Sequence, residues 1–197
     1  MLNNITGIIL AGGQSKRMGS EKGLVLLHGK PLISYAIGIL SGFCDTVLIS
    51  SNSDAYDDLG LKVVPDLLAN KGPMGGVYSC LKEVKTSFAF VLSVDMPLVD
   101  RQIIDRLLAE KDEYQVVLPC LQGFVQPVCA CYKHEILPLL ETELIAERLK
   151  LKGFIETLHY KAIDISVEDG YTLFSINTKE DVLKASGMSF TGAAFAG

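Results

Sequence analysis

Short apolar runs alternate along this chain with segments whose apolar residues recur every three or four positions. Residues 5–11 are nearly all apolar and stop at Gly12-Gly13, the pattern of a strand covered on both faces. Pro31 sits where the first turn of a helix tolerates a missing N–H, and Leu32, Tyr35, Ala36, Ile39 and Leu40 then mark one buried helical face. Strands are predicted over 46–50 and 61–64, a helix over 74–84 after the breaker Lys71-Gly72-Pro73, and a central strand over 88–94. Asp100 is placed to cap a helix over 101–110. This alternation predicts an α/β fold, a mostly parallel sheet with helices on both faces.

The second half is less regular. Strands over 114–120 and 126–132, with Gly123 in the turn between them, predict a short antiparallel excursion. Helices over 134–142 and 151–158, short strands over 161–166 and 171–176, and a closing helix over 178–185 complete the pattern. No linker divides the chain, so residues 1–187 read as a single domain, and the small, glycine-containing stretch 188–197 reads as a flexible tail.

Charge and composition narrow the classes of function. A formal net charge of −5 over 197 residues makes the chain a poor default binder of nucleic acid, whose affinity rests on Lys and Arg against phosphates. No run of roughly 18 apolar residues occurs and no basic leader precedes an apolar core, so neither membrane insertion nor export is expected and the cytoplasm is the expected location. Five cysteines (Cys44, Cys80, Cys120, Cys129 and Cys131) are odd in number and irregularly spaced, which suits reduced thiols rather than a disulfide framework. Cys129 and Cys131 share one strand face, as buried thiols or as half of a metal site with no second pair. The three histidines, His28, His134 and His159, lack ligand spacing and read as surface or packing residues.

The loop after the first strand breaks this acidic background. Leu10-Ala11-Gly12-Gly13-Gln14-Ser15-Lys16-Arg17-Met18-Gly19-Ser20-Glu21-Lys22 carries three glycines and three cations against one acid. Gly12 and Gly13 let backbone N–H groups approach an anion closely, and Lys16, Arg17 and Lys22 can neutralise a triphosphate. Neither the Walker A pattern nor G-x-G-x-x-G is present. Asp95, just past the strand over 88–94, is either a turn carboxylate or a ligand for Mg²⁺; Pro97 blocks an immediate helix start and Asp100 is the better cap.

The loop as a whole resembles the signature of the molybdenum cofactor guanylyltransferase family, within the nucleotidyltransferases of Rossmann-like fold. Val64-Pro65-Asp66, Gly72-Pro73-Met74-Gly75-Gly76, Val94-Asp95-Met96-Pro97, Gln126-Pro127-Val128-Cys129-Ala130-Cys131-Tyr132 and Ser175-Ile176-Asn177-Thr178-Lys179-Glu180-Asp181 follow in the family's order, up to about Ala185.

The resemblance implies a division of labour. Leu10, Ala11, Gly12, Gly13, Lys22, Ser50, Asn52, Asp66 and Asp95 would bind the nucleotide in the N-terminal part. Arg17, Lys22 and Asp95 would act in catalysis, with Mg²⁺ on Asp95. Ser50 stands where the family often has an asparagine, with Asn52 two residues on. The 72–76 segment either walls the base or ribose or simply opens a helix. Asn177 either binds the acceptor in the C-terminal part or caps the last helix, and the basic residues Arg148, Lys150 and Lys152 either meet an acceptor phosphate or form a solvated face. The implied reaction is transfer of GMP from GTP to molybdopterin with release of pyrophosphate, with transient contact to molybdoenzymes or their chaperones. The alternatives are CTP with molybdopterin, a nucleoside triphosphate with a sugar phosphate, and, from another class, a nucleotide-binding regulator without turnover.

Overall fold

A computed structural model describes residues 4–12, 14–15 and 20–188. Eight strands form one sheet: β1 (Ile5–Leu10), β2 (Thr46–Ser50), β3 (Lys62–Val64), β4 (Phe88–Ser93), β5 (Val116–Leu121), β6 (Phe124–Val125), β7 (Cys129–Lys133) and β8 (Tyr160–Ile165). Their order across the sheet is β3-β2-β1-β4-β7-β5, with β8 on the far side of β5 and the short β6 folded back on the end of β5. β1 pairs in parallel with β2 and β4, β2 with β3, and β5 with β8. β7 alone runs against both its long neighbours, which is the antiparallel excursion the sequence predicts.

Side-chain alternation divides the core into two layers. Ile5, Ile9, Ile49, Phe90, Leu92, Cys129 and Cys131 face α1 (Leu32–Ser41) and α3 (Arg101–Ala109). Ile8, Leu48, Val91, Leu118, Ala130 and Tyr132 face α2 (Gly72–Leu81), α4 (Leu137–Ile145) and α5 (Leu151–Ile155). β1, at the centre, is buried along its whole length, and this is why its sequence is nearly continuous in apolar residues.

The caps follow local chemistry. The Asp100 carboxylate accepts from Ile103 N at 2.9 Å, as predicted. α6 (Lys179–Ser186) starts with a capping box in which Thr178 Oγ1 accepts from Asp181 N and Asp181 accepts from Thr178 N. Thr178 therefore takes the cap, and the Asn177 side chain is left for other work.

Among the boundaries that differ from the sequence pattern, three have a plain local cause. Residues 171–176 form no strand; Asp169–Leu173 is a 3₁₀ turn, and beyond it Ile176 N donates to Asp95 O, just past the end of β4. Ser166 Oγ donates to the Asp169 carboxylate and accepts its N–H, and Gly170 lies so close to Leu121 that an added Cβ would come within 2.9 Å. This turn chemistry outweighs a short apolar run. β7 begins at Cys129 rather than at 126, since Pro127 has no N–H to give the ladder and Gln126 N turns to Pro119 O. α2 begins two residues early, at Gly72 with φ +59° and Pro73 in the first turn.

Candidate active site

The order β2-β1-β4 places neighbours on both sides of β1, and in such sheets ligands bind beyond the carboxyl ends of the strands, where successive connections diverge. A cavity of about 650 Å³ opens there. Leu10 and Gly12 from the end of β1, Ser50 and Asn52 from the end of β2, and Asp66 beyond β3 all line it. Ala11, completely buried, donates its N–H to Ser50 O at 3.0 Å and so ties the start of the glycine loop to β2. Gly13, Lys16 and Arg17 lie outside the described residues.

Asn52 and Asp66 hold each other at two points. The Asn52 amide donates to the Asp66 carboxylate at 2.8 Å, and Asp66 N donates to Asn52 Oδ1 at 2.8 Å. This closed pair fixes a carboxylate on the cavity wall without neutralising it. Ser50 is also at the wall, but its hydroxyl is turned inward to the Cys80 thiol. Burial pushes that thiol up to about 12, and the Ser50 hydroxyl is the main influence acting the other way.

The wall opposite comes from the start of α2. Gly72, Pro73 and Gly76 line the cavity, so the 72–76 segment is both a helix start and a wall. At Gly76 an added Cβ would lie 2.4 Å from Ser50 Oγ, so only glycine allows this approach. Glu21, Ser51, Ser53, Asn70, Ser93 and Val128 also line the cavity, and none of them is marked out as a site residue by sequence alone. Asn70, with φ +61°, precedes Lys71 and Gly72 in a turn whose composition is the one available signal.

Beside the cavity, three predicted residues meet from three distant parts of the chain. The Lys22 ammonium lies 2.6 Å from Asp95 Oδ2 and 2.8 Å from Asn177 Oδ1. The side chains of Lys22 and Asp95 are only 19% and 14% exposed, so the pair is partly shielded from water. Asp95 Oδ1 is buried and has no hydrogen-bond partner among the described residues. The backbone joins in: Val94 N donates to Leu10 O, and Ile176 N donates to Asp95 O at 2.8 Å. Asn177 presents its amide oxygen to Lys22 while its N–H₂ faces Ser175 O.

A buried carboxylate oxygen without a donor is costly unless something else satisfies it. A hard divalent cation such as Mg²⁺ fits Asp95 Oδ1 by its oxygen chemistry. Among the described residues no three His, Cys, Asp or Glu side chains converge as a metal cage, so most ligands of such an ion would be phosphate and water oxygens.

Arg148 is engaged elsewhere: its guanidinium forms a two-point pair with Glu143 at 2.6 and 2.7 Å. Lys152 lies 4.0 Å from Glu156, one turn on. Both are partnered along their own segment, as a solvated face would be. Lys71, at the cavity rim, forms an ion pair with Glu147.

Residues 7–162 match the model of the MobA-like NTP transferase domain. The chain belongs to this family. Relatives of this MobA-like chain include probable molybdenum cofactor guanylyltransferases from Flavobacterium johnsoniae, 30% identical with 92% of this chain and 96% of the relative covered, and from Nostoc sp., 31% identical with 94% and 92% covered. Among solved structures, molybdopterin-guanine dinucleotide biosynthesis protein A from Archaeoglobus fulgidus superposes with a TM-score of 0.78 at 22% identity, over 92% of this chain and 96% of that one. That likeness shows a shared fold. In this MobA-like fold Gly12, Asp66 and Asp95 all follow the carboxyl ends of strands. Among the described residues no helix is long and apolar enough to cross a membrane.

Proposed function

We propose that this nucleotidyltransferase moves GMP from GTP to the terminal phosphate of molybdopterin, forming a phosphoanhydride-linked dinucleotide and releasing pyrophosphate. The observation that carries the proposal is the Lys22–Asp95–Asn177 constellation at the edge of a nucleotide-sized cavity in a MobA-like chain. The attack brings two anions together, so the residues must supply charge and alignment rather than a nucleophile. A phosphate acceptor is already ionised near neutral pH, and no strong general base is needed.

Gly12, without a side chain at the cavity's edge, leaves room for the triphosphate against the end of β1. Lys22 holds the phosphates by charge, and Arg17, by the family resemblance, adds charge toward the leaving pyrophosphate. Asp66, steadied by Asn52, offers carboxylate acceptors of the kind that the N1–H and 2-amino group of guanine need. Mg²⁺ held by Asp95 would offset negative charge at the reacting phosphate when bound. Asn177, by the family resemblance, would meet the acceptor. The product would pass to molybdoenzymes or their chaperones by transient contact in the cytoplasm.

The test mixes the purified protein with Mg²⁺, molybdopterin and GTP, CTP, ATP or UTP in turn, with Asp95→Ala alongside. Pyrophosphate and dinucleotide are expected with GTP and not with the variant. Product with CTP alone would overturn the base assignment, and tight GTP binding without any product would favour a regulator.

A further inference from the structure

Lys22 opens a 3₁₀ turn (Lys22–Leu24), and two polar contacts from its ammonium to distant parts of the chain fix where its charge sits. One is Asp95 Oδ2 at 2.6 Å and the other Asn177 Oδ1 at 2.8 Å. The Asp95 carboxylate thus has one oxygen taken by an ammonium and one, Oδ1, buried with no partner among the described residues. A Mg²⁺ or Mn²⁺ ion binds a carboxylate oxygen at about 2.1 Å. An ion on either Asp95 oxygen would therefore lie close to the Lys22 ammonium, like charge beside like charge in a shielded place. The carboxylate accommodates one of the two cations well and both together badly.

We infer that Lys22 and the divalent ion exchange on Asp95, and that Asn177 is the positioning residue that sets the exchange by anchoring the Lys22 ammonium. This rests on Asp95 as the metal ligand. A triphosphate supplies what the ammonium needs in order to leave, namely a stronger anionic partner within reach of the same flexible side chain. Asp95, released from the ammonium, would then be free to hold the ion beside those phosphates. Nucleotide thus strengthens the hold of Asp95 on a metal ion, which the site would bind only weakly ahead of its nucleotide. Asn177 lies 155 residues along the chain from Lys22, so the segment expected to meet the acceptor also controls the cation on the donor side. An acceptor group that engages the Asn177 amide would loosen Lys22 and favour the exchange, which links the two substrates without any movement of the sheet.

The experiment measures Mn²⁺ binding by electron paramagnetic resonance, with no turnover involved. Wild-type protein is expected to bind Mn²⁺ weakly alone, and at least about tenfold more tightly with the α,β-methylene analogue of GTP, the worth of one charge-assisted contact removed. Lys22→Met should bind Mn²⁺ about tenfold more tightly than wild type without nucleotide. Asn177→Ala, which changes no charge, should move the affinity in the same direction by a smaller factor. Lys71→Met removes the same charge from the cavity rim without touching Asp95 and should change little. Equal Mn²⁺ affinity in wild type, Lys22→Met and Asn177→Ala would overturn the exchange, as would an effect of Lys71→Met as large as that of Lys22→Met. Adding Asp95→Asn to Lys22→Met separates the two levels. If Mn²⁺ binding persists there, Asp95 is not the ligand and the metal assignment itself falls; if it vanishes, that assignment stands whatever the other variants show.

Discussion

Gly76→Ala sets two effects against each other at the cavity wall. Within a helix, alanine is favoured over glycine by about 1 kcal/mol. Position 76 lies inside α2, so propensity alone predicts a more stable protein. The new methyl, however, would stand 2.4 Å from Ser50 Oγ and 3.3 Å from Leu10 Cδ2. Leu10 Cδ2 ends a flexible side chain and can yield a few tenths of an ångström. Ser50 cannot yield so cheaply, because it is buried at the end of β2 and its hydroxyl is bonded to the Cys80 thiol. Overpacking of this kind costs about 1–3 kcal/mol. With about 2 kcal/mol lost and about 1 regained, the net change is about 1 kcal/mol destabilising, or a fall of about 2–4 °C in Tm for a chain of this size. KM for GTP should rise as well, since Ser50 and Leu10 both line the cavity.

The decisive comparison is in a Ser50→Ala background. There the clashing oxygen is gone, and the next nearest Ser50 atom, Cβ, is at an ordinary contact distance of 3.5 Å. Gly76→Ala should then stabilise by about 1 kcal/mol, which makes the coupling between the two sites about 2 kcal/mol. Thermal denaturation of the four proteins, with nucleotide affinity measured on each, completes the cycle. A Gly76→Ala protein that is more stable with Ser50 intact, or an identical shift in both backgrounds, would refute the close-approach account.

Other outcomes follow from single contacts. Gly23→Ala would bring a methyl within 2.7 Å of the buried Tyr56 hydroxyl just after Lys22, so a loss of about 1–3 kcal/mol is expected in chemical denaturation; an unchanged midpoint would count against that packing. Thr178→Ala removes one half of the capping box and should cost about 1 kcal/mol, read as a lower Tm. The Asn177 N–H, then the Thr178 side chain and N–H, hold the Asp181 carboxyl below its usual range. Its contribution to stability is therefore full above the unfolded carboxylate pKa and disappears as pH falls through the lower folded value, so the effect of Asp181→Asn should shrink on acidification; a pH-independent effect would exclude the linkage. Burial pushes the Cys80, Cys129 and Cys131 thiols up to about 12, so all three should resist a thiol reagent at pH 8 until the protein unfolds, and fast labelling of any of them in the native state would contradict their burial.

The sheet was legible because its central strands are buried on both faces and so announce themselves as apolar runs. Asp95 was legible because a carboxylate directly after such a run stands at the sheet's ligand end, and Asp100 because it precedes an apolar helical face. The glycine loop stood out as positive charge in an acidic chain. What local pattern concealed was the outcome of distant segments meeting. Residues 171–176 look like a strand, yet Ser166 and Asp169 close a turn just before them and Ile176 N is drawn to Asp95 O. Asn177 could cap the last helix by its residue type alone, but Thr178 takes that place through its pairing with Asp181. No spacing rule joins Lys22 to Asn177, and nothing in the sequence turns the Ser50 hydroxyl toward Cys80 rather than into the cavity.

The union of Asp95 with the 175–177 segment has a consequence for the chain during synthesis. A ribosome has made β1, β2 and β4 once Asp95 emerges, but Asn177 lies 82 residues further on. At roughly 5–20 residues per second that interval lasts roughly 4–16 s. Throughout it the nascent chain carries its glycine loop and most of the residues that line the cavity, while the Asp95 carbonyl waits for the Ile176 N–H and Lys22 for its second anchor. Translation thus delivers the residues of the donor half first and the anchoring segment late, so the order of synthesis follows the division between nucleotide pocket and anchor.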